Sequence, residues 1–233
     1  EGDLEYPLYC RKLGSLEAEE EIMLNVNELA EGHEYYQVAG LSMHPSNQKI
    51  SFGVDTVSRR IYTIYTKDLV TGAIEVVTEN ECTGGSTWSA DGNYLFCTVK
   101  DLETLRSHKI KRWDAQTGTH ELIFEEKDET FSTFVYKTRS KEYIIIGSGS
   151  TMSDEYRFIP ANEPLAEFQL IQPRERGLEY GVSHFGEHFY IRTNADGATN
   201  FKLIKAPVSN PSKAQWEDVI AHREKVYLES MEL

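Results

Sequence analysis

A reverse turn returns at a nearly fixed interval along this chain, and no other feature restricts its fold as tightly. Asn47, Gly92, Lys141 and Gly186 each stand in a short polar break between two strand-like runs, and they are separated by 45, 49 and 45 residues. A second turn repeats as Asp68-x-x-Thr-Gly72 and Asp114-x-x-Thr-Gly118, 46 residues apart. Glycine accepts the left-handed backbone such turns need, and the aspartate side chain can bond its own backbone two residues on. Between the turns lie short runs rich in aromatic and β-branched residues, such as Arg-Ile-Tyr-Thr-Ile-Tyr-Thr-Lys at 60–67 and Tyr-Ile-Ile-Ile at 143–146. Four strands per unit and a period in the forties describe a propeller blade. A β-sandwich also has many short strands, but it would not repeat the order of its turns at a fixed interval.

The spacing predicts an all-β chain: one β-propeller domain over residues 1–233, made of four-stranded antiparallel blades. Residues 1–24 read as the outer half of a blade, with strands near 8–13 and 21–24 and a helical turn in 25–32. Complete blades are expected at about 38–78, 84–125, 132–172 and 180–221. Residues 227–233 read as the first strand of a further blade. The two partial ends either pair to close a five-bladed ring or leave the chain as an arc of a larger one, with open strand edges.

Charge narrows the ligands. With 38 acidic against 24 basic residues the formal net charge is -14. Nucleic acid and anionic membrane are therefore not expected partners, whereas cationic ligands would be steered favourably. On charge alone, solubility is the better account of such a surface. No apolar run reaches the 18 or so residues of a membrane span. Cys10, Cys82 and Cys97 are odd in number and far apart, so neither a disulfide framework nor a zinc site is indicated. Small buried thiols fit a reducing compartment, so a cytoplasmic location is expected, with the periplasm left open. The chain opens on Glu1 instead of Met and reads as a segment of something longer.

Motifs for chemistry are sparse. A serine hydrolase needs Gly-x-Ser-x-Gly at a strand-to-helix elbow. The nearest approach, Gly40-Leu41-Ser42-Met43-His44, lacks the second glycine, and Gly147-Ser148-Gly149-Ser150 reads as a flexible loop. His184 and His188 flank a hairpin turn, and no His-Glu-x-x-His is present, so no metal and no cofactor is expected. The acidic runs at 17–21 and 125–129 read as solvated loops; a propeller glycosidase would need carboxylates facing each other instead. Arg174 and Arg176 flank Glu175 on an inter-blade loop. Arg59 and Arg60 precede one strand, and Glu79 and Glu81 enter the next blade. Guanidinium forks pair bidentately with carboxylates, so these six are candidates for salt bridges between blades, between domains or at a gate.

Several segments together resemble one family: Asn-Val-Asn-Glu-Leu-Ala-Glu-Gly-His-Glu-Tyr-Tyr at 25–36, Val-Asp-Thr-Val-Ser-Arg-Arg-Ile-Tyr-Thr-Ile-Tyr-Thr-Lys-Asp-Leu at 54–69, Glu-Glu-Lys-Asp-Glu-Thr-Phe at 125–131 and the stretch 172–194. They are similar to the N-terminal propeller of the oligopeptidase B group within the prolyl oligopeptidase family of serine peptidases. That resemblance implies a seven-bladed propeller covering an α/β-hydrolase domain of the same polypeptide, which carries the Ser-Asp-His triad. It implies that the present chain is noncatalytic, lacks about two blades, and limits access to an enzyme that cleaves short peptides after Arg or Lys. It also implies an interdomain salt-bridge network, with Arg59 or Arg60 and Glu79 or Glu81 matching that region in character and spacing. A stand-alone interaction propeller is the alternative, and a propeller glycosidase a more distant one.

Overall fold

The computed structural model describes residues 4–233, and its strands follow the turn period. The chain divides into two compact units, residues 1–85 and 86–233. In the first, β1 (Leu8–Lys12) and β2 (Glu20–Asn25) pair with each other in a two-stranded antiparallel sheet of their own. A single helical turn, α1 (Val26–Leu29), follows, capped by the Asn25 side chain accepting from the Asn27 N–H. The strands β3 (Gln37–Met43), β4 (Lys49–Asp55), β5 (Tyr62–Asp68) and β6 (Ile74–Trp88) then form an antiparallel meander.

β6 departs from expectation. Residues 74–78 and 86–89 read as two strands with a blade boundary between them, yet one fifteen-residue strand spans both. Its register slips between Tyr62/Ile64 and Ile64/Tyr65, and Asn80 takes a φ of 44°. These irregularities bend the strand without ending it, as bulges do. The first unit contains β6 as far as Gly85, and Ser86–Trp88 opens the second.

The second unit continues with β7 (Tyr94–Lys100), β8 (Ser107–Asp114) and β9 (His120–Glu125). Two further four-stranded sheets follow. One is β10 (Ser132–Lys137), β11 (Tyr143–Gly149), β12 (Asp154–Pro160) and β13 (Gln169–Gln172). The other is β14 (Tyr180–Phe185), β15 (His188–Thr193), β16 (Lys202–Pro207) and β17 (Glu217–Ile220). Gly147–Gly149, expected as a flexible loop, belongs to β11; Ser148 is buried and pairs with Thr133. Residues 227–233, expected as a first strand, form none. A strand exists by pairing, and here the Leu228 N–H is spent on the Asn200 carbonyl instead.

The turns carry the period in their backbone. Asn47, Gly92, Lys141 and Gly186 all lie at positive φ, between 58° and 75°. In the second turn, Oδ1 of Asp68 accepts from the N–H groups of Val70 and Thr71, and Oδ1 of Asp114 from those of Gln116 and Thr117.

Packing explains the apolar runs. On β11, Ile144 and Ile146 enter a cluster with Phe96, Ile110 and Ile159, whereas Ile145 enters another with Phe158, Tyr180, Phe189 and Ile204. A sheet covered on both faces needs apolar residues at successive positions, hence the unbroken isoleucines. Trp88 meets Trp113 edge-on at 6.4 Å, and both are buried with Leu95. The thiols of Cys82 and Cys97 are buried, and that of Cys10 is half-buried.

In the first unit the backbone of β4 approaches that of β6. A Cβ added to Gly53 would lie 2.5 Å from the Gly84 Cα and 2.6 Å from its carbonyl oxygen. Backbone cannot yield as a flexible side chain does, so Gly53→Ala is expected to cost roughly 1–3 kcal/mol. Urea unfolding followed by circular dichroism measures it; Gly72→Ala, with nothing near its Cβ position but a φ of 78°, separates backbone strain from collision.

Candidate functional site

Antiparallel order places alternate connections at the same end of a sheet. In the second unit the loop before β8, the connection from β9 to β10, the loop before β12 and the connection from β13 to β14 gather in this way. The Glu126 N–H donates to the His108 carbonyl at 2.7 Å. Nη1 of Arg106 donates to the Phe131 carbonyl at 2.9 Å and, more weakly, to those of Glu126 and Asp128. Ser153 Oγ donates to the Glu175 carbonyl at 3.0 Å.

Arg174 is the centre of this end. Its Nη2 donates to Glu126 Oε2 at 2.6 Å and to Glu155 Oε1 at 3.2 Å, and its backbone N–H donates to Glu155 Oε2 at 3.0 Å. Its guanidinium lies 3.9 Å from the centroid of the Phe131 ring. Arg157 pairs with the same Glu155 oxygen at 2.6 Å and sits over Phe124. Glu126 and Glu155 are both buried, at 4% and 5% exposure. Burial alone would raise their carboxyl groups. Hydrogen bonds from Arg174 and from the backbone override it and hold both below the usual carboxylate range. Burial likewise opposes the Arg174 charge, but the two carboxylates keep it more firmly protonated than usual.

Two guanidinium groups on two buried carboxylates suit anchoring better than acid–base chemistry, which needs a carboxyl that holds its proton near neutrality. The run at 125–129 was expected to be solvated, and Glu126 corrects that: its carboxylate closes over Arg174 and also accepts the Asp128 N–H. Nothing in the sequence singled out Glu126 or Glu155. Arg176 is exposed and borders, with Thr130, Phe131, Met152, Ser153 and Arg174, a hollow of about 570 Å³.

The four remaining candidates lie in the first unit. Arg59 and Arg60 are exposed in the loop between β4 and β5, where Arg60 has a φ of 56° and its N–H donates to Asp55 Oδ2 at 2.7 Å. Glu79 is exposed and Glu81 half-buried on β6. His184, placed beside a hairpin turn by the sequence, is buried on β14, with Nδ1 2.9 Å from Ser140 Oγ. Among the described residues no group of three His, Cys, Asp or Glu side chains could hold a metal ion, and no helix is long and apolar enough to cross a membrane.

Over residues 1–233 the chain matches the family described as prolyl oligopeptidase, N-terminal beta-propeller domain. It is 39% identical over 218 residues to dipeptidyl aminopeptidase BI of Pseudoxanthomonas mexicana, covering 93% of this chain and 30% of that protein. It is 34% identical over 236 residues to protease 2 of Moraxella lacunata, covering 97% of this chain and 34% of the relative. Oligopeptidase B from Leishmania major superposes with a TM-score of 0.83 at 29% identity, over 96% of this chain and 32% of that one. The chain thus spans about a third of the length of these relatives.

Removing Arg174 leaves Glu126 buried without its cation and Glu155 with Arg157 alone, so Arg174→Gln is expected to cost about 3 kcal/mol at pH 7. Adding Glu126→Gln to it should recover part of that loss, measured as a double-mutant cycle by urea unfolding. Both carboxyls are depressed in the folded state, so their contribution is complete above the usual glutamate value of 4.5 and fades as pH falls below it; Arg174→Gln should flatten that acid limb.

Asp154 behaves in the opposite sense. Burial, with Glu179 nearby, pushes its carboxyl from 3.8 to about 6, although its carboxylate accepts the Tyr180 N–H. The folded state therefore binds this proton more readily, and the associated stability is present below 3.8 and lost as pH rises through about 6. Unfolding midpoints of Asp154→Asn between pH 4 and 7 should lack that decline.

Proposed function

Because the chain belongs to the prolyl oligopeptidase family, as its N-terminal β-propeller domain, we propose that it is a noncatalytic gate. It restricts access to an α/β-hydrolase domain of the same polypeptide, a serine-type oligopeptidase that cleaves short peptides after Arg or Lys. The observation that carries this reading is the whole-chain match to the propeller domain.

Physical features support it. A gate must present a surface that keeps its shape, and the Arg174 cluster ties consecutive inter-sheet connections with buried, charge-assisted hydrogen bonds. The net charge of -14 favours the approach of basic peptides and would raise their encounter rate at low salt. A cytoplasmic setting accords with the buried thiols of Cys82 and Cys97.

The isolated chain, offered an arginyl fluorogenic peptide and a serine-directed fluorophosphonate, should give neither turnover nor label. A longer polypeptide joining it to a hydrolase domain should cleave that peptide while sparing the same sequence inside a folded protein. A labelled serine in residues 1–233, or equal cleavage of both substrates, overturns the proposal.

A further inference from the structure

We propose that the hollow beside Arg176 binds a short peptide by its free C-terminal carboxylate. The inference rests on the gate reading for its use. In a short peptide that carboxylate lies within a few residues of every bond, whereas most bonds of a folded protein have no such group nearby. A gate that reads the carboxylate therefore selects by length.

The hollow, about 570 Å³, falls within the roughly 300–1,000 Å³ of small-ligand sites. Its rim is built without Arg176. Ser150 Oγ donates to the Ser153 carbonyl at 3.1 Å, and Ser153 Oγ donates to the Glu175 carbonyl at 3.0 Å while accepting the Gly177 N–H at 3.3 Å. The loop before β12 and the connection from β13 to β14 are thus tied to each other on either side of the opening. Met152, 49% exposed, and Phe131 give it apolar surface for a peptide's last side chain.

Charge decides what the hollow accepts. Arg174 is held by Glu126 and Glu155, Arg157 by Glu155, and Arg106 is spent on three carbonyls. Arg176 is exposed and makes no hydrogen bond or ion pair with any described residue. Thr151, exposed at the same rim, likewise leaves its hydroxyl unspent among the described residues. The carboxylates nearby are engaged elsewhere. Glu175 accepts from Gln172 Nε2 at 2.9 Å and lies 3.7 Å from Lys213 Nζ. Asp128 accepts the N–H and hydroxyl of Thr130 and faces Arg174 at 3.9 Å. A guanidinium fork without a partner beside a spare hydroxyl matches the two oxygens of a terminal carboxylate.

The test uses the full 233-residue chain and fluorescein-labelled Ala-Ala-Leu, as free acid and as C-terminal amide, followed by anisotropy at low salt. The free acid should bind roughly fivefold tighter, the scale of one exposed ion pair. With a net charge of -14 the chain as a whole repels anions, so such a preference reports the local site. Arg176→Gln should lose the preference, Arg176→Lys should keep part of it, and Arg176→Glu should favour the amide. Circular dichroism should show all three variants folded, since the side chain touches nothing the fold needs. Equal binding of acid and amide by wild type, no binding of either at millimolar peptide, or a preference that survives in Arg176→Gln overturns the proposal. Failure of the gate reads separately, as equal cleavage of peptide and folded substrate by the longer polypeptide, whatever the isolated chain binds.

Discussion

Burial of sheets on both faces is the constraint on which the second unit depends. A four-stranded sheet with one apolar face can rest on a single neighbour, but β11 sends Ile144 and Ile146 to one cluster and Ile145 to another. Its sheet is therefore unsatisfied until something packs on each side, and the unit gains its stability through repetition. The same demand sets the polar chemistry. Backbone at the ends of covered strands cannot all reach water, so connections between sheets must bond one another. Arg106, Ser153 and Arg174 do that work for the carbonyls and carboxylates around them.

Two-sided burial also changes what an ionic group costs. Glu126 and Glu155 would be expensive buried alone; each is tolerated because a guanidinium fork reaches it. Phe131 beneath Arg174 and Phe124 beneath Arg157 complete the site with flat apolar surfaces that exclude water from the forks without competing for their donors. Such a cluster fixes geometry more than it adds stability, which suits an element that must present a defined surface.

The architecture was legible in the sequence because it is written in turns. Asn47, Gly92, Lys141 and Gly186 need a backbone that few residues adopt, and their period survives where strand composition does not. The all-β meander and the family followed from those positions and the segments around them. What stayed hidden depends on partners distant in the chain. Glu126 looks like any member of a charged run until Arg174 closes on it, and Ser148 like part of a loose glycine-serine loop until Thr133 pairs with it. The continuity of β6 was missed for a related reason: bulged residues resemble a linker when their ladder is not in view. At 227–233 the Leu228 backbone bonds to Asn200 and Arg192, contacts with residues about 28 and 36 positions earlier that composition does not reveal.

The strict meander order has a consequence for the newborn chain. Within each sheet every strand pairs with its neighbour in sequence, so pairing requires only short loops to close. Each set of four can form as it leaves the ribosome, before the next exists. The charged anchor cannot: Arg174 trails Glu126 by 48 residues, a whole repeat. During synthesis each finished sheet must therefore wait, one face uncovered, until its successor arrives. The arginine records that arrival, joining two repeats only after both have been made.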